Sequence, residues 1–309
     1  MGDVIKKEKY EHSIEVLKLA SQMSEQYYKK PLLLSYSGGK DSDVLLQLAL
    51  ESGIKFEVQN SHTTVDAPQT VYHIREVFKK LNEQGINAYV LHARYKDGRL
   101  ITMWNLIEKN KFPPTRLARY CCDYLKEQST PNRFIALGVR EAESVKRRGR
   151  TDFQTRSKKH PEYRVYRDLD TAKQVYEDAQ KYDEVFDCKF ISDAKKNKDL
   201  ICNPIYYWTD DDVWNFIKDR KIKVNPLYEL GFERVGCIGC PLAKRKEREK
   251  EFLLFPKYKL NYIRAFDRMD KSGYTKEPLI NPSAQDVFDW WMEDPKAWGQ
   301  TELEGWSND

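Results

Sequence analysis

Leu32-Leu33-Leu34-Ser35-Tyr36-Ser37-Gly38-Gly39-Lys40-Asp41-Ser42-Asp43-Val44-Leu45-Leu46 decides how this chain is read. A short apolar run breaks into a loop of glycines and hydroxyls, then restarts with helical character. The stretch therefore predicts strand, tight turn and helix in succession. Gly38 and Gly39 lack the Cβ that would keep backbone N–H groups from converging on an anion. The helix that follows offers the positive end of its dipole, and Lys40 adds mobile positive charge. Together these features describe a phosphate cradle.

The same alternation continues outward from the loop. Residues 6–28 form an amphipathic pattern, with Ile14, Leu17, Ala20 and Met23 at helical spacing. After Gly53, Ile54–Val58 is expected to be a strand, Pro68–Gln84 a helix, Ala88–Leu91 a strand and Phe134–Leu137 another. Strands alternating with helices predict a parallel sheet covered on both faces, with ligands beyond the carboxyl ends of the strands. Ser37–Ser42, Thr63–Asp66 and Gly138–Ser144 fall at such ends. Residues 155–200 interrupt the pattern and read as an insertion, partly helical around 171–186. Thr209, with Asp212 three residues on, predicts a capped helix start. Residues 243–271 are strongly charged and helical, the face from Lys244 to Lys250 being read as solvated, and 283–293 form a short helix whose Trp290 and Trp291 belong to a core.

The 309 residues suffice for one large domain with an appendage or two small domains. Charged residues make up 33% of the chain, and no apolar run approaches the ~20 residues of a membrane span. No membrane association is therefore expected. The N-terminus turns polar before a signal-peptide core can form, which argues for the cytoplasm. Net charge is only +5, yet residues 146–167 hold nine basic side chains against Asp152 and Glu162. Such a run is either solvated surface or a contact for a polyanion, DNA or RNA included.

Six cysteines in a cytosolic chain point to metal or redox chemistry before structural disulfides. Cys121-Cys122 and Cys237-Ile238-Gly239-Cys240 would supply four thiolates. On spacing alone these suit zinc and an iron–sulfur cluster equally. His62 and His92, near strand ends, read as structural.

Ser37-Gly38-Gly39-Lys40-Asp41-Ser42 resembles the PP-loop of the ATP pyrophosphatases, whose fold is shared with the phosphoadenylylsulfate (PAPS) reductase family. Lys40 follows the glycine pair directly, unlike the lysine of Gly-x-x-x-x-Gly-Lys-Ser/Thr. Arg119-Tyr120-Cys121-Cys122-Asp123-Tyr124-Leu125-Lys126 with Gly236-Cys237-Ile238-Gly239-Cys240-Pro241 is similar to the cysteine pattern of the [4Fe-4S] sulfonucleotide reductases and their sulfurtransferase relatives. Gly138–Ser144, Val65–Thr70, Pro204–Thr209 and Asn225–Gly231 extend the likeness from about residue 32 to 242.

The resemblance implies an α/β fold of the adenine-nucleotide α-hydrolase-like (PP-loop) type over 1–242, with the insertion near 155–200. A helical C-terminal extension covers 243–309. It implies nucleotide contacts from Ser37, Gly38, Gly39, Lys40, Asp41, Ser42, Asp66, Gly138 and Arg140, with Lys40, Asp41 and Arg140 in catalytic roles and Asp41 helping to hold Mg2+. Arg147 or Arg148 would assist Arg140 in clamping phosphate or sulfate. Cys121, Cys122, Cys237 and Cys240 would bind a [4Fe-4S] cluster, with zinc as the fallback.

Two departures bear on activity. Cys122 and Cys237 are 115 positions apart, longer than the family's usual gap, and the insertion accounts for the excess. No cysteine follows Cys240, whereas the reductases carry a catalytic one in a C-terminal Glu-Cys-Gly segment. Cys188 or Cys202 would have to replace it. The leading expectation is an iron–sulfur enzyme resembling the Dnd-type sulfurtransferases. It would cleave ATP to pyrophosphate and move sulfur onto a nucleic acid or small molecule, with a sulfur or electron donor protein as partner. The alternatives are an APS/PAPS reductase releasing sulfite and a non-catalytic nucleotide or nucleic-acid-binding module.

Overall fold

The computed structural model describes residues 7–127, 132–143, 147–156, 166–181, 199–276 and 279–293. The chain forms two compact units. The first comprises Met1–Asn60, Gln69–Leu91 and Thr130–Val235; the second comprises Ser61–Pro68, His92–Ser129 and Gly236–Asp309.

A seven-stranded sheet begins in the first unit with β1 (Leu32–Ser35), β2 (Phe56–His62), β3 (Ala88–His92) and β4 (Arg133–Ala136). It is completed by β5 (Phe153–Arg156), β6 (Tyr166–Arg167) and β7 (Asp199–Cys202), in the order β3-β2-β1-β4-β7-β5-β6. β1 pairs in parallel with β2 and β4, and β4 with β7; Leu33 stands opposite Ile135, and Ile135 opposite Ile201. The sheet is parallel as expected except at one edge, where β5 runs antiparallel to both β7 and β6. The insertion thus contributes strands as well as the helix α6 (Leu169–Lys181). Cys188 lies outside the described residues.

Period-two patterning sorts the strand residues. Leu32, Leu34, Phe134, Ala136, Leu200 and Cys202 join one large core with helices α1 (Lys7–Tyr28), α2 (Lys40–Ser52) and α3 (Pro68–Glu83). Leu33, Ile135 and Ile201 form a separate cluster on the opposite side. α1 buries Val16, Leu17, Ala20 and Met23, the i, i+1, i+4, i+7 stripe of a helix facing a sheet. A buried relay anchors it: Trp208 Nε1 donates to Ser13 Oγ at 3.0 Å, and that hydroxyl donates to the Pro204 carbonyl at 2.7 Å. α7 (Asp210–Asp219) starts as expected, with the Thr209 hydroxyl accepting from the Asp212 N–H at 3.2 Å and Asp212 Oδ2 accepting from the Thr209 N–H at 2.8 Å.

The second unit holds α4 (Met103–Asn110), the short α5 (Tyr120–Cys122) and three helices near the C-terminus: α8 (Arg245–Leu254), α9 (Pro256–Arg268) and α10 (Ala284–Met292). Residues 243–271 are helical as expected, divided into two helices because Pro256 bars Phe255 from helical geometry and opens α9 at its first position. Trp291 and Tyr262 are sealed in an aromatic core with Phe252, Phe266 and Phe288. Among the described residues, no helix is long and apolar enough to cross a membrane.

Candidate functional site

In the first unit, β1 ends in a loop held from several sides. The Tyr36 N–H still donates to Gln59 on β2 at 2.8 Å, after which the chain turns out of the sheet. Gly38 takes φ +74, and a Cβ there would lie 2.9 Å from Ile74 Cγ1. Both the backbone angle and the space demand glycine. Asn225 Nδ2 donates to the Gly38 carbonyl and to Thr70 Oγ1, each at 3.0 Å. Gly39 is the N-cap of α2, its carbonyl accepting from Ser42 Oγ at 2.7 Å. The Lys40 N–H donates to Tyr228 Oη at 2.8 Å, and Ser37 remains exposed at the tip. Gly138, after β4, is constrained by space alone: a Cβ would stand 3.0 Å from the Asp41 carbonyl oxygen. Behind the loop, Tyr36, Asp43 and His73 form a buried polar group, with His73 Nε2 3.3 Å from Asp43 Oδ1. Burial raises the Asp43 carboxyl, partly offset by His73.

Charge concentrates at the start of α2. Arg140 is 1% exposed; its Nε donates to Asp41 Oδ1 at 2.6 Å, its Nη2 to Asp210 Oδ1 at 2.8 Å and its Nη1 to the Trp208 carbonyl at 3.3 Å. Lys40 Nζ lies 3.4 Å from both Asp41 Oδ2 and Asp210 Oδ1. Burial opposes the charged form of Asp210, but the Arg140 guanidinium overrides it and holds the carboxyl below the usual range. Lys40 and Arg140 therefore sit in an ion network. Arg147 pairs with Glu143, whose Oε2 also accepts the Arg140 N–H at 3.0 Å, and Arg148 is exposed. Of the basic run, residues 144–146 and 157–165 lie outside the described residues.

The cysteines gather in the second unit. Cys237 forms an antiparallel bridge with Asp66, and the Ile238 N–H donates to the Val65 carbonyl at 2.8 Å. Gly239 turns the chain with φ +71, and a Cβ there would meet Phe252 Cζ at 2.7 Å. Its N–H donates to Glu251 Oε2 at 2.7 Å, and Tyr262 Oη donates to the Ile238 carbonyl at 2.9 Å. The solvated reading of Lys244–Lys250 holds for Lys244, Arg245, Lys246, Glu249 and Lys250, which are exposed, and is corrected at Arg248. Arg248 is 4% exposed, its guanidinium stacked 4.0 Å from the Trp291 ring centre, and burial pulls it down to about 10. Arg248 and Glu251 turn inward because one face of this helix packs beneath the Cys-x-x-Cys turn, while most of its other charges stay exposed.

Cys121 and Cys122 share a hydrogen bond that raises the first thiol and lowers the second; Arg119 Nη2, 3.5 Å from Cys122 Sγ, favours the same thiolate. The Cys237 and Cys240 charges also raise Cys121. Burial pushes Cys237 up to about 11 against the pull of Lys126. Four sulfurs from two segments thus come within mutual electrostatic reach, a donor set that fits a thiolate-ligated metal centre in kind. Among the described residues, no group of three or more histidine, cysteine, aspartate or glutamate side chains is placed to hold a metal ion.

Asp66, expected with the nucleotide loop, lies in the second unit beside Cys237. Burial disfavours its ionisation, yet hydrogen bonds from His62 and Thr63 hold it below the usual carboxylate range. His62 packs edge-on against His92. Cys202 is fully buried at the end of β7, where burial pushes its thiol up. Asp210 and Tyr228 escaped the sequence reading as site residues. Asn225–Gly231 did mark the neighbourhood of Tyr228, whereas Asp210 has no signal beyond an acidic helix start.

Strand, glycine loop, helix and an ion network on the helix's first turn define an α/β protein with a PP-loop-like fold. The chain belongs to the phosphoadenosine phosphosulfate reductase domain family, whose model matches residues 31–243. It is 25% identical over 239 residues to an uncharacterized protein of Methanocaldococcus jannaschii, covering 74% of this chain and 40% of that protein. It is 39% identical over 51 residues to adenosine 5'-phosphosulfate reductase of Oceanobacillus iheyensis, covering 16% and 21%. The chain thus spans less than half the length of these curated relatives. The crystal structure of PAPS reductase from Candida auris, in a phosphate complex, is similar at a TM-score of 0.42 and 13% identity, over 77% of this chain and 98% of that one.

Proposed function

We propose that this protein is an adenine-nucleotide-binding enzyme of sulfur chemistry that cleaves ATP between the α and β phosphates and couples adenylation to sulfur transfer. The observation that carries the reading is the Ser37–Ser42 loop, where Gly38 adopts a left-handed turn at the mouth of α2 and Lys40 stands in its first turn. The helix N-terminus and the Lys40 ammonium would stabilise charge on departing pyrophosphate. Asp41, held by Arg140 through Oδ1, would direct Oδ2 toward Mg2+ on the triphosphate. Arg140 positions Asp41 and would contact phosphate on exchanging a carboxylate partner. Cys121, Cys122, Cys237 and Cys240 would hold an iron–sulfur cluster, which when bound supplies sulfur or electrons. The basic residues of 146–167 would meet DNA or RNA as acceptor. ATP-dependent pyrophosphate release by anaerobically reconstituted protein, increased by DNA or RNA, is the expected result; no release with iron fully loaded would refute the reading.

The 51-residue likeness to adenosine 5'-phosphosulfate reductase favours a second reading, reduction of an adenylylated sulfate to sulfite. That route needs a nucleophilic thiol, and Cys202 is buried with its thiol raised, the reverse of what attack requires. Sulfite release abolished by Cys202→Ser or Cys188→Ser would select this second reaction.

A further inference from the structure

The ion network at the head of α2 contains a carboxylate to which the proposed reaction gives no task. Asp210 Oδ1 stands 2.8 Å from Arg140 Nη2 and 3.4 Å from Lys40 Nζ, so one oxygen bridges two cations beside the loop. Together with Asp41 it brings the charge of the four side chains to zero. The two carboxylates are not equivalent. Asp41 is 20% exposed and belongs to α2 itself, whereas Asp210 is 65% exposed on the first turn of α7. Arg140 is too deeply buried to lose both partners, since an unpaired buried charge is strongly unfavourable. Of the two, Asp210 can leave and rehydrate at small cost, and its departure turns a neutral network into one with a net positive charge.

We propose that Asp210 is an internal anion surrogate. Its carboxylate occupies the place of a phosphate oxygen between Lys40 and Arg140, and it must rotate into solvent when a polyphosphate binds. Nucleotide affinity is then set by competition between two anions for the same pair of cations, and Asp210 is a residue that determines it. The inference rests on the nucleotide-binding reading of the Ser37–Ser42 loop. It adds to that reading a residue that opposes binding.

Equilibrium titration of the full chain with ATP and, separately, with inorganic pyrophosphate tests the proposal on wild type, Asp210→Asn, Asp210→Glu and Asp211→Asn. Removing one competing exposed charge is expected to tighten binding of both ligands about fivefold, equivalent to about 1 kcal/mol. Asp210→Glu should return toward wild type. Asp211, the exposed neighbour in the same helical turn, should change affinity by less than about twofold when neutralised. Unchanged or weaker binding by Asp210→Asn overturns the proposal, as does equal tightening by Asp211→Asn, which would reveal a general field. Pyrophosphate bound more tightly by Asp210→Asn with no ATP binding by any protein sustains the surrogate and refutes the nucleotide reading. Binding of neither ligand refutes both.

Discussion

Single glycines fix the tight turns because a side chain there is barred by backbone angle and by space. Gly239 is the clearest case, since its φ of +71 and the Phe252 ring 2.7 Å from a would-be Cβ both exclude a side chain. Gly239→Ala is expected to cost about 1 to 3 kcal/mol, the range for a strained left-handed residue, before the ring contact is counted. A denaturant midpoint equal to wild type, measured anaerobically, would contradict this. At Lys40, truncation to alanine should lower ATP-dependent pyrophosphate release about 100-fold or more, the scale for deleting one preorganised electrostatic contact to a developing anion. Release within a few-fold of wild type would remove Lys40 from the chemistry. Lys40 and Gly38 were legible from sequence because glycine pair, lysine and helix start are contiguous. The partners of Lys40 were not, since Asp210 is distant in sequence and nothing local announces the pairing.

Elements are joined by a few buried polar groups, and these respond to pH and to truncation. Asp152 links three of them: Oδ1 meets His12 Nε2 of α1 at 2.9 Å, Oδ2 accepts from the Leu169 N–H at the start of α6 at 3.1 Å, and its carbonyl accepts from the Asn203 N–H after β7 at 2.7 Å. The hydrogen bond to Asp152, opposed by burial, raises the His12 pKa above its ordinary value. A group raised on folding adds stability that is complete below the unfolded pKa, about 6.5, and disappears as pH climbs through the folded value. Chemical denaturation should therefore show stability falling from pH 6 upward toward neutrality and beyond, with a shallower fall in His12→Gln; identical slopes would refute the assignment. Thr209→Ala should cost about 1 kcal/mol through loss of the α7 cap, readable as a lowered unfolding midpoint. That cap was visible in advance because Thr209 and Asp212 satisfy each other locally. The antiparallel edge of β5 and β6 was not, because strand direction follows from where the chain re-enters the sheet.

For the molecule as a whole, the second unit draws on residues well outside the family match. The matched segment ends at residue 243, yet Phe252, Tyr262 and Trp291 supply the rings that enclose Gly239, and Glu251 binds its N–H. A chain ended at residue 243 should fail to incorporate iron under reconstitution that loads the 309-residue chain, with metal content and visible absorbance as the readout. Iron retained at full stoichiometry would show that α8, α9 and α10 are dispensable to the cysteine centre.

The sequence alone was enough to determine the strand, loop and helix at 32–46, the helical and strand periodicities around them, the caps and the kinship with PAPS reductases. All of these are properties of residues near one another in the chain, governed by backbone freedom, side-chain period and local hydrogen bonding. Tertiary structure alone decided that Asp210 bridges Lys40 and Arg140, that Arg248 lies beneath the Cys-x-x-Cys turn and that Asp66 stands with the cysteines. Those outcomes depend on which faces pack together, and a charged side chain takes a buried position only when packing brings a partner distant in sequence close enough to offset its desolvation.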